Sequence, residues 1–335
     1  MKIAIFDVSH WHFPLYVPPL RDPGIEVVGI SDTASFAGAC FAQQLGCKLY
    51  GSNEDLLKED FDFALVFCRH SEMAALATCL IERGIPFLIE KPCGLNLQEV
   101  VRIRQLAEQR GVYVSVPFII RVSELASRLS PDAGFTPEGF QHFSFRFIVG
   151  SVERYERNGC SWMLDKQHAG GGSLLNVGIH FVDLISSLTS APITHISALL
   201  RTYRSDVTVE EQAVLTCQNA AGQIGVIETG YLYPSTPEDQ RDFAFSVSHS
   251  AAYMRGYADQ LHVKARDQKQ GRSSTVEYNT DAYYPVFLRR SWADLAERRP
   301  PVAGLREAQQ AIAVIEAAYR SAAAGGAAQT VEHEL

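Results

Sequence analysis

Four short stretches of the chain carry side chains able to do chemistry. Glu90-Lys91-Pro92 follows the apolar run Phe87-Leu88-Ile89. A lysine desolvated at the end of a buried strand has a lowered pKa and can exchange a proton with a substrate hydroxyl; an ordinary solvated strand end is the plainer alternative. In the stretch 169–187, Asn176, His180, Asp183 and Ser187 stand at i, i+4, i+7 and i+11. On one helix they share a stripe, with Leu175, Ile179, Val182 and Ile185 near another. A histidine among polar neighbours fits a general base, and a solvated polar face gives the same pattern. The preceding Gly170-Gly171-Gly172 costs chain entropy, which points to backbone packed closely against a ligand or another element.

The third stretch is Asp7-Val8-Ser9-His10-Trp11-His12, after the first apolar run. A dinucleotide-binding βα turn places G-x-G-x-x-G there, and here Asp7, Ser9 and His12 take the glycine positions. Ser9 is small enough for a close phosphate. The Asp7 carboxylate at about 6 Å, with an effective dielectric of ~20, would repel each phosphate charge by about 2.8 kcal/mol, on the order of a hundredfold in affinity. That cost vanishes if Asp7 turns away, or if a protonated His10 or His12 pairs with it. A plain turn capped by Asp or Ser is the alternative. The fourth candidate is Asp32, 23 residues beyond Ser9. An acid there accepts from both adenosine ribose hydroxyls and repels a 2′-phosphate, favouring NAD over NADP; it would also cap a helix starting near Ala34.

These residues need a scaffold. Apolar runs at Ile3–Phe6, Glu26–Ile30, Phe63–Phe67, Phe87–Ile89 and Tyr113–Val116 alternate with helical segments, Ala34–Leu45, Glu72–Arg83 and Leu97–Arg110, stopped by Gly46, Gly84 and Gly111. This is the rhythm of an α/β, doubly wound parallel sheet of the Rossmann type. Asn96 and Glu99 form a capping-box pair. After Phe118 the period becomes two: Phe143, Phe145 and Phe147 alternate with Ser144 and Arg146. Further runs at 193–203, 212–218, 223–233, 242–248 and 273–278 predict an α+β domain with a mostly antiparallel open sheet, Asn219–Gly222 forming a hairpin turn. The expected division is 1–120 for a dinucleotide-binding domain and 121–335 for substrate binding and oligomerisation. A closing helix is expected over Leu305–Ala322.

The 335 residues carry a formal charge of −8, with 47% hydrophobic and 20% charged residues. Global disorder, collagen and coiled coil are excluded. The absence of any basic block argues against nucleic acid or a membrane surface as partner. No apolar run approaches the roughly 18 residues needed to span a bilayer. Without a signal-like apolar segment at the start, the expected location is cytoplasmic. Seven widely spaced cysteines with no C-x-x-C read as reduced packing residues.

Taken together, Asp32, Glu90-Lys91-Pro92 and the stretch Gly170–Asp183 resemble the glucose-fructose oxidoreductase / inositol dehydrogenase / rhizopine-catabolism (Gfo/Idh/MocA) family over nearly the whole chain. Pro117–Arg121, Gly304–Ala308 and Ile315–Ser321 extend the likeness. The resemblance implies an NAD(P)-dependent oxidoreductase of a sugar, cyclitol or related polyol. It assigns Lys91 to the nicotinamide and the reacting oxygen, after a cis Lys91-Pro92 bond, and His180 to the general base. Departures accompany it: Asn176 replaces an aspartate and cannot take a proton, His70 and Met73 fall at an Asn and a His position, and Trp162-Met163 replaces Trp-Arg.

The expected catalytic set is Lys91, His180 and Asn176. The expected cofactor set is Ser9, His10, His12, Asp32, His70, Glu90 and Lys91, for NAD rather than NADP. Arg121, Trp162, Asp165 and Asp183 are candidates for substrate hydroxyls, and no metal site is expected from the histidine spacing. Alternatives are a non-catalytic sensor or scaffold, motivated by the lost glycines, and a lyase or hydrolase using bound NAD transiently. A homodimer or homotetramer is expected: the resemblance favours it, and the second sheet has helices for one face only, so that aromatics on the other would invite a partner sheet; the alternative is that helices of the same chain cover them.

Overall fold

A computed structural model describes residues 1–32, 37–234 and 241–333. The chain divides into two compact units: 1–118 with 155–170 and 281–309, and 119–154 with 171–280 and 310–335.

In the first unit, β1 (Lys2–Phe6), β2 (Glu26–Ser31), β3 (Lys48–Tyr50), β4 (Phe63–Val66), β5 (Phe87–Ile89) and β6 (Val114–Ser115) form a sheet in the order β3-β2-β1-β4-β5-β6. Neighbouring strands are parallel throughout. Ile3 to Phe6 and Phe63 to Val66 are fully buried, the continuous apolar signature of strands covered on both faces. The direction of winding reverses between β1 and β4, the switch point beyond whose carboxyl ends doubly wound sheets bind ligands. The helices Ala37–Leu45, His70–Glu82 and Leu97–Arg110 lie where the apolar periodicity predicts them, the middle one starting two residues early; residues 34–36 of the first expected helix fall outside the described residues. Gly46, Gly84 and Gly111 stop them with φ of 66°, 72° and 66°. Asn96 caps the third, accepting from the Glu99 amide at 2.9 Å, while Glu99 accepts from Leu95 N. The short strand β3 escaped the sequence pattern.

The second unit contains β7 (Phe140–Gly150), β8 (Ile193–Arg201), β9 (Gln212–Asn219), β10 (Ile224–Tyr233), β11 (Arg241–His249), β12 (Ala252–Tyr257), β13 (Gln260–Ala265), β14 (Arg272–Thr275) and β15 (Gln329–Thr330). Their order is β14-β13-β12-β11-β7-β10-β9-β8-β15, antiparallel except between β7 and β10. The expected run 273–278 is β14, and β12 and β13 before it were not anticipated. Asn219–Gly222 joins β9 to β10 as predicted, with Gly222 at φ 81°.

Phe143, Phe145 and Phe147 are buried, and Phe181 of the helix Ile179–Thr189 stacks on Phe145 with centroids 4.9 Å apart. The aromatic row therefore faces a helix of the same unit, so the expectation that it invites a partner sheet is corrected. The opposite face exposes Leu199, Val214, Ile224, Tyr253 and Tyr257. The cysteines are all free; Cys68, Cys93, Cys160 and Cys217 are buried as expected, while Cys40 is exposed. Among the described residues one helical stretch, 166–189, is long and apolar enough to cross a membrane by length and composition, and 83% of its apolar window is buried.

Candidate functional site

In the first unit, β1 delivers the chain into the loop 7–12. Asp7 sits at φ 65°, the left-handed conformation a glycine would supply there, and aspartate is one of the few other residues that tolerate it. Its amide donates to Ser31 O at 2.8 Å, and its carboxylate accepts from Ser9 N at 2.6 Å. Burial is the largest influence on this carboxyl and pushes it up to about 6. The turn needed beside a dinucleotide is thus kept without glycine, but one amide that a phosphate oxygen would use is already engaged.

Trp162 Nε1 donates to Ser9 O at 3.1 Å, and Cys160 Sγ donates to the same carbonyl at 3.2 Å. Trp162, expected at substrate, braces the loop instead. Asp165, also expected at substrate, caps the turn Lys166–Ala169 by accepting from Gln167 N at 3.0 Å, a local structural duty. At the end of β2, Asp32 Oδ2 accepts from Gly38 N at 2.6 Å. That is the capping arrangement, and a Cβ on Gly38 would lie 2.4 Å from Asp32.

His10, His12, His70 and Glu90 converge although separated by up to 80 positions. His70 Nδ1 lies 2.8 Å from Ala169 O and so carries its proton there; His70 Nε2 is 3.4 Å from His10 Nε2. Burial drives His70 down to about 4 and His10 well below its ordinary value, so both rings are neutral. Glu90 is fully buried, accepting from Tyr16 OH at 2.7 Å, with His12 Nδ1 at 3.4 Å. The Tyr284 hydroxyl lies within 3.1 Å of the His12 ring nitrogens. Lys91 follows with 1% exposure, and the Lys91-Pro92 peptide is cis, as the resemblance implies. A solvated strand end is therefore not what the chain builds at Glu90-Lys91.

In the second unit, the stretch expected as one α-helix begins with a π-helical turn, Leu174–Gly178, before the α-helix Ile179–Thr189. The wider turn breaks the simple stripe; such turns are frequent at functional sites. Asn176 and His180 are both buried, with exposures of 4% and 7%, and Asp183 with them, so the solvated-face reading holds only at Ser187. Asn176 Nδ2 donates to Tyr231 OH at 3.1 Å. Arg121 and Asp183, both expected at substrate, form a bidentate pair at 2.8 and 2.7 Å. Each takes up the other's charge.

Gly170 ends the turn Lys166–Ala169 at φ 81°, and Gly171 and Gly172 are explained by proximity. A Cβ on Gly172 would sit 2.0 Å from the Glu210 carbonyl oxygen, and one on Gly171 would sit 1.8 Å from Tyr319 OH. Glu210 accepts from Gly172 N, Leu174 N and Tyr319 OH at 2.9 to 3.0 Å. Glu210, Tyr231, Tyr319, Tyr16, Tyr284 and Cys160 went unnoticed in the sequence, where none carries a local motif.

Two family descriptions match the chain: an oxidoreductase family with NAD-binding Rossmann fold over residues 11–118, and a GFO/IDH/MocA C-terminal domain over 142–251. The rhizopine catabolism protein MocA of Rhizobium meliloti is 22% identical over 216 residues, covering 63% of this chain and 65% of that protein. The chain spans between about half and two thirds of the length of the curated relatives it matches. Among solved structures, GenD2 from gentamicin A biosynthesis in complex with NAD superposes with TM-score 0.84 at 20% identity, covering 99% of this chain and 96% of that one. Levoglucosan dehydrogenase in complex with NADH superposes with TM-score 0.82 at 16% identity over the full length of both. At such identities the structural likeness establishes the fold.

Proposed function

Because the chain belongs to the Gfo/Idh/MocA oxidoreductase family, with its NAD-binding Rossmann fold, we propose that it oxidises or reduces a CH–OH/keto centre of a sugar, cyclitol or related polyol. The observation that carries this reading is Lys91, buried at the carboxyl end of a parallel strand and followed by a cis proline. Lys91 holds the reacting oxygen. His180 takes the hydroxyl proton in oxidation and returns it in reduction, and Asn176 orients a hydroxyl without exchanging its proton.

The left-handed Asp7 supports the fit of a dinucleotide by keeping the turn, so Ser9, Asp32 and Lys91 would hold it. When bound, it supplies the hydride acceptor or donor at the nicotinamide ring. The charge of Asp32 favours NAD over NADP. A second copy docking on the exposed face around Leu199 and Tyr257 is part of the same proposal.

Calorimetric titration of the protein with NAD, NADH and NADPH tests the cofactor first, with micromolar NAD(H) binding expected. Lys91→Ala and His180→Ala should then each lower turnover of an identified polyol by roughly a hundredfold or more. Absence of binding at millimolar dinucleotide would sink the dehydrogenase reading. It would favour the sensor or scaffold instead, which the engagement of Ser9 N by Asp7 and of Ser9 O by Trp162 supports.

A further inference from the structure

The loop 7–12 is held by a chain of hydrogen bonds that ends far along the sequence. A carbonyl oxygen only accepts, so His70 Nδ1, 2.8 Å from Ala169 O, carries the ring proton and His70 Nε2 is left as an acceptor. His10 Nε2, 3.4 Å from it, donates, and His10 Nδ1 then accepts from the His12 amide at 3.2 Å. One arrangement of protons satisfies every link, and it uses both nitrogens of both rings. Trp162 closes the cluster, its ring edge-on to His70 with centroids 4.9 Å apart while its Nε1 donates to Ser9 O.

We propose that His70 is a positioning residue for the dinucleotide loop: through the His10 ring it fixes the backbone of residues 9–12, and neither ring offers a nitrogen to the cofactor. The brace stands on the geometry alone, and its value to the cofactor rests on the oxidoreductase reading.

The need for a brace follows from the lost glycines. Two side chains shape this loop by binding an amide two residues ahead, Asp7 to Ser9 N and His10 to His12 N. An aspartate makes that turn unaided. An imidazole must present the correct nitrogen at the correct angle, and His70 sets both by accepting from the other nitrogen. A loop ordered beforehand spares the cofactor the entropy of ordering it. The roles expected for His10 and His70 in direct contact with the cofactor are thereby replaced by an indirect one.

Hydrogen exchange of the full-length protein without dinucleotide tests the brace. His70→Ala should speed exchange of peptides spanning residues 8–13 by roughly threefold to tenfold, the worth of one buried hydrogen bond, and leave β1 and β4 as in wild type. His70→Gln, whose side-chain oxygen has about the reach of Nε2, should restore the slow exchange. His10→Asn keeps an acceptor for His12 N but drops the link to residue 70, so it should match His70→Ala, and the double variant should add little to either. Unchanged exchange at 8–13 in both folded single variants, equal acceleration in β4, or fully additive effects overturns the proposal. NAD titration of the same proteins reads the consequence: affinity should fall by roughly threefold to tenfold, and undiminished affinity overturns the positioning role. If the wild type binds no NAD at millimolar concentration, the dehydrogenase reading fails while the exchange result still decides the brace.

Discussion

The loop at 7–12 and the run at 170–172 both occupy places where a chain of this fold uses glycine, and they have met the requirement differently. At Asp7 the demand is for a dihedral angle, φ 65°. An aspartate meets it because its short side chain can hydrogen-bond locally, here to Ser9 N at 2.6 Å. At Gly172 the demand is for room: φ lies outside the left-handed region, but a Cβ would lie 2.0 Å from backbone of Glu210. A demand on dihedral angle can be satisfied by more than one residue type, whereas a demand for space against backbone cannot. The glycine motif can therefore disappear from one site while the other keeps Gly171 and Gly172 for room, beside Gly170 at φ 81°.

The largest effect should come from breaking the spatial demand. Gly172→Ala forces the chain away from Glu210, strains the bonds that Glu210 accepts from Gly172 N and Leu174 N, and should destabilise by about 3 kcal/mol or more. Chemical denaturation measures it. A loss under about 1 kcal/mol would mean that this segment relaxes easily and that its glycines serve something other than packing.

The same contrast governs what could be read from sequence. Most strands of both sheets, though not β3, β12, β13 or β15, follow from local periodicity and turn chemistry, as do the stops at Gly46, Gly84 and Gly111 and the Asn96 cap. The cluster of His10, His12, His70 and Glu90 does not, because its members meet only when β1, β4 and β5 lie side by side. The spacing of Asn176, His180 and Asp183 is visible, but the π-helical turn that shifts it is not; its first amide, Leu174 N, donates to Glu210, a residue from a distant strand connection. Arg121 and Asp183 looked available because a sequence cannot show that two opposite charges neutralise one another.

An intermediate effect should follow from altering the charge of Asp7 while keeping its angle. The folded carboxyl titrates at about 6 against 3.8 in its ordinary state, so the folded protein binds the extra proton between those values. Stability from this group is therefore full below about pH 4 and is lost as pH rises through 6, costing about 3 kcal/mol at most by pH 8. Asp7→Asn retains an acceptor for Ser9 N and tolerates the left-handed angle. It should be more stable than wild type by about 1 to 3 kcal/mol at pH 8 and nearly equal to it at pH 4. Melting curves across that range decide; parallel pH profiles for the two proteins would show that Asp7 is not held as a costly buried charge.

The smallest change in stability belongs to Asp7→Gly, which supplies the same angle with neither charge nor acceptor. The gain from removing the buried carboxylate is offset by the added freedom of the unfolded chain and by the loss of the Ser9 N acceptor, so the net shift at pH 8 should stay within about 1 kcal/mol. Its binding consequence runs the other way. Ser9 N is released for a phosphate oxygen and a nearby negative charge is gone, which at the repulsion of about 2.8 kcal/mol per phosphate charge allows up to roughly a hundredfold tighter NAD binding by calorimetry. If Asp7→Gly and Asp7→Asn tighten NAD binding equally, the charge alone weakened the site; if only Asp7→Gly does, the engagement of Ser9 N weakened it. If neither variant moves the affinity, the carboxylate already faces away from the phosphates, and the angle was the whole of what the glycine had to provide.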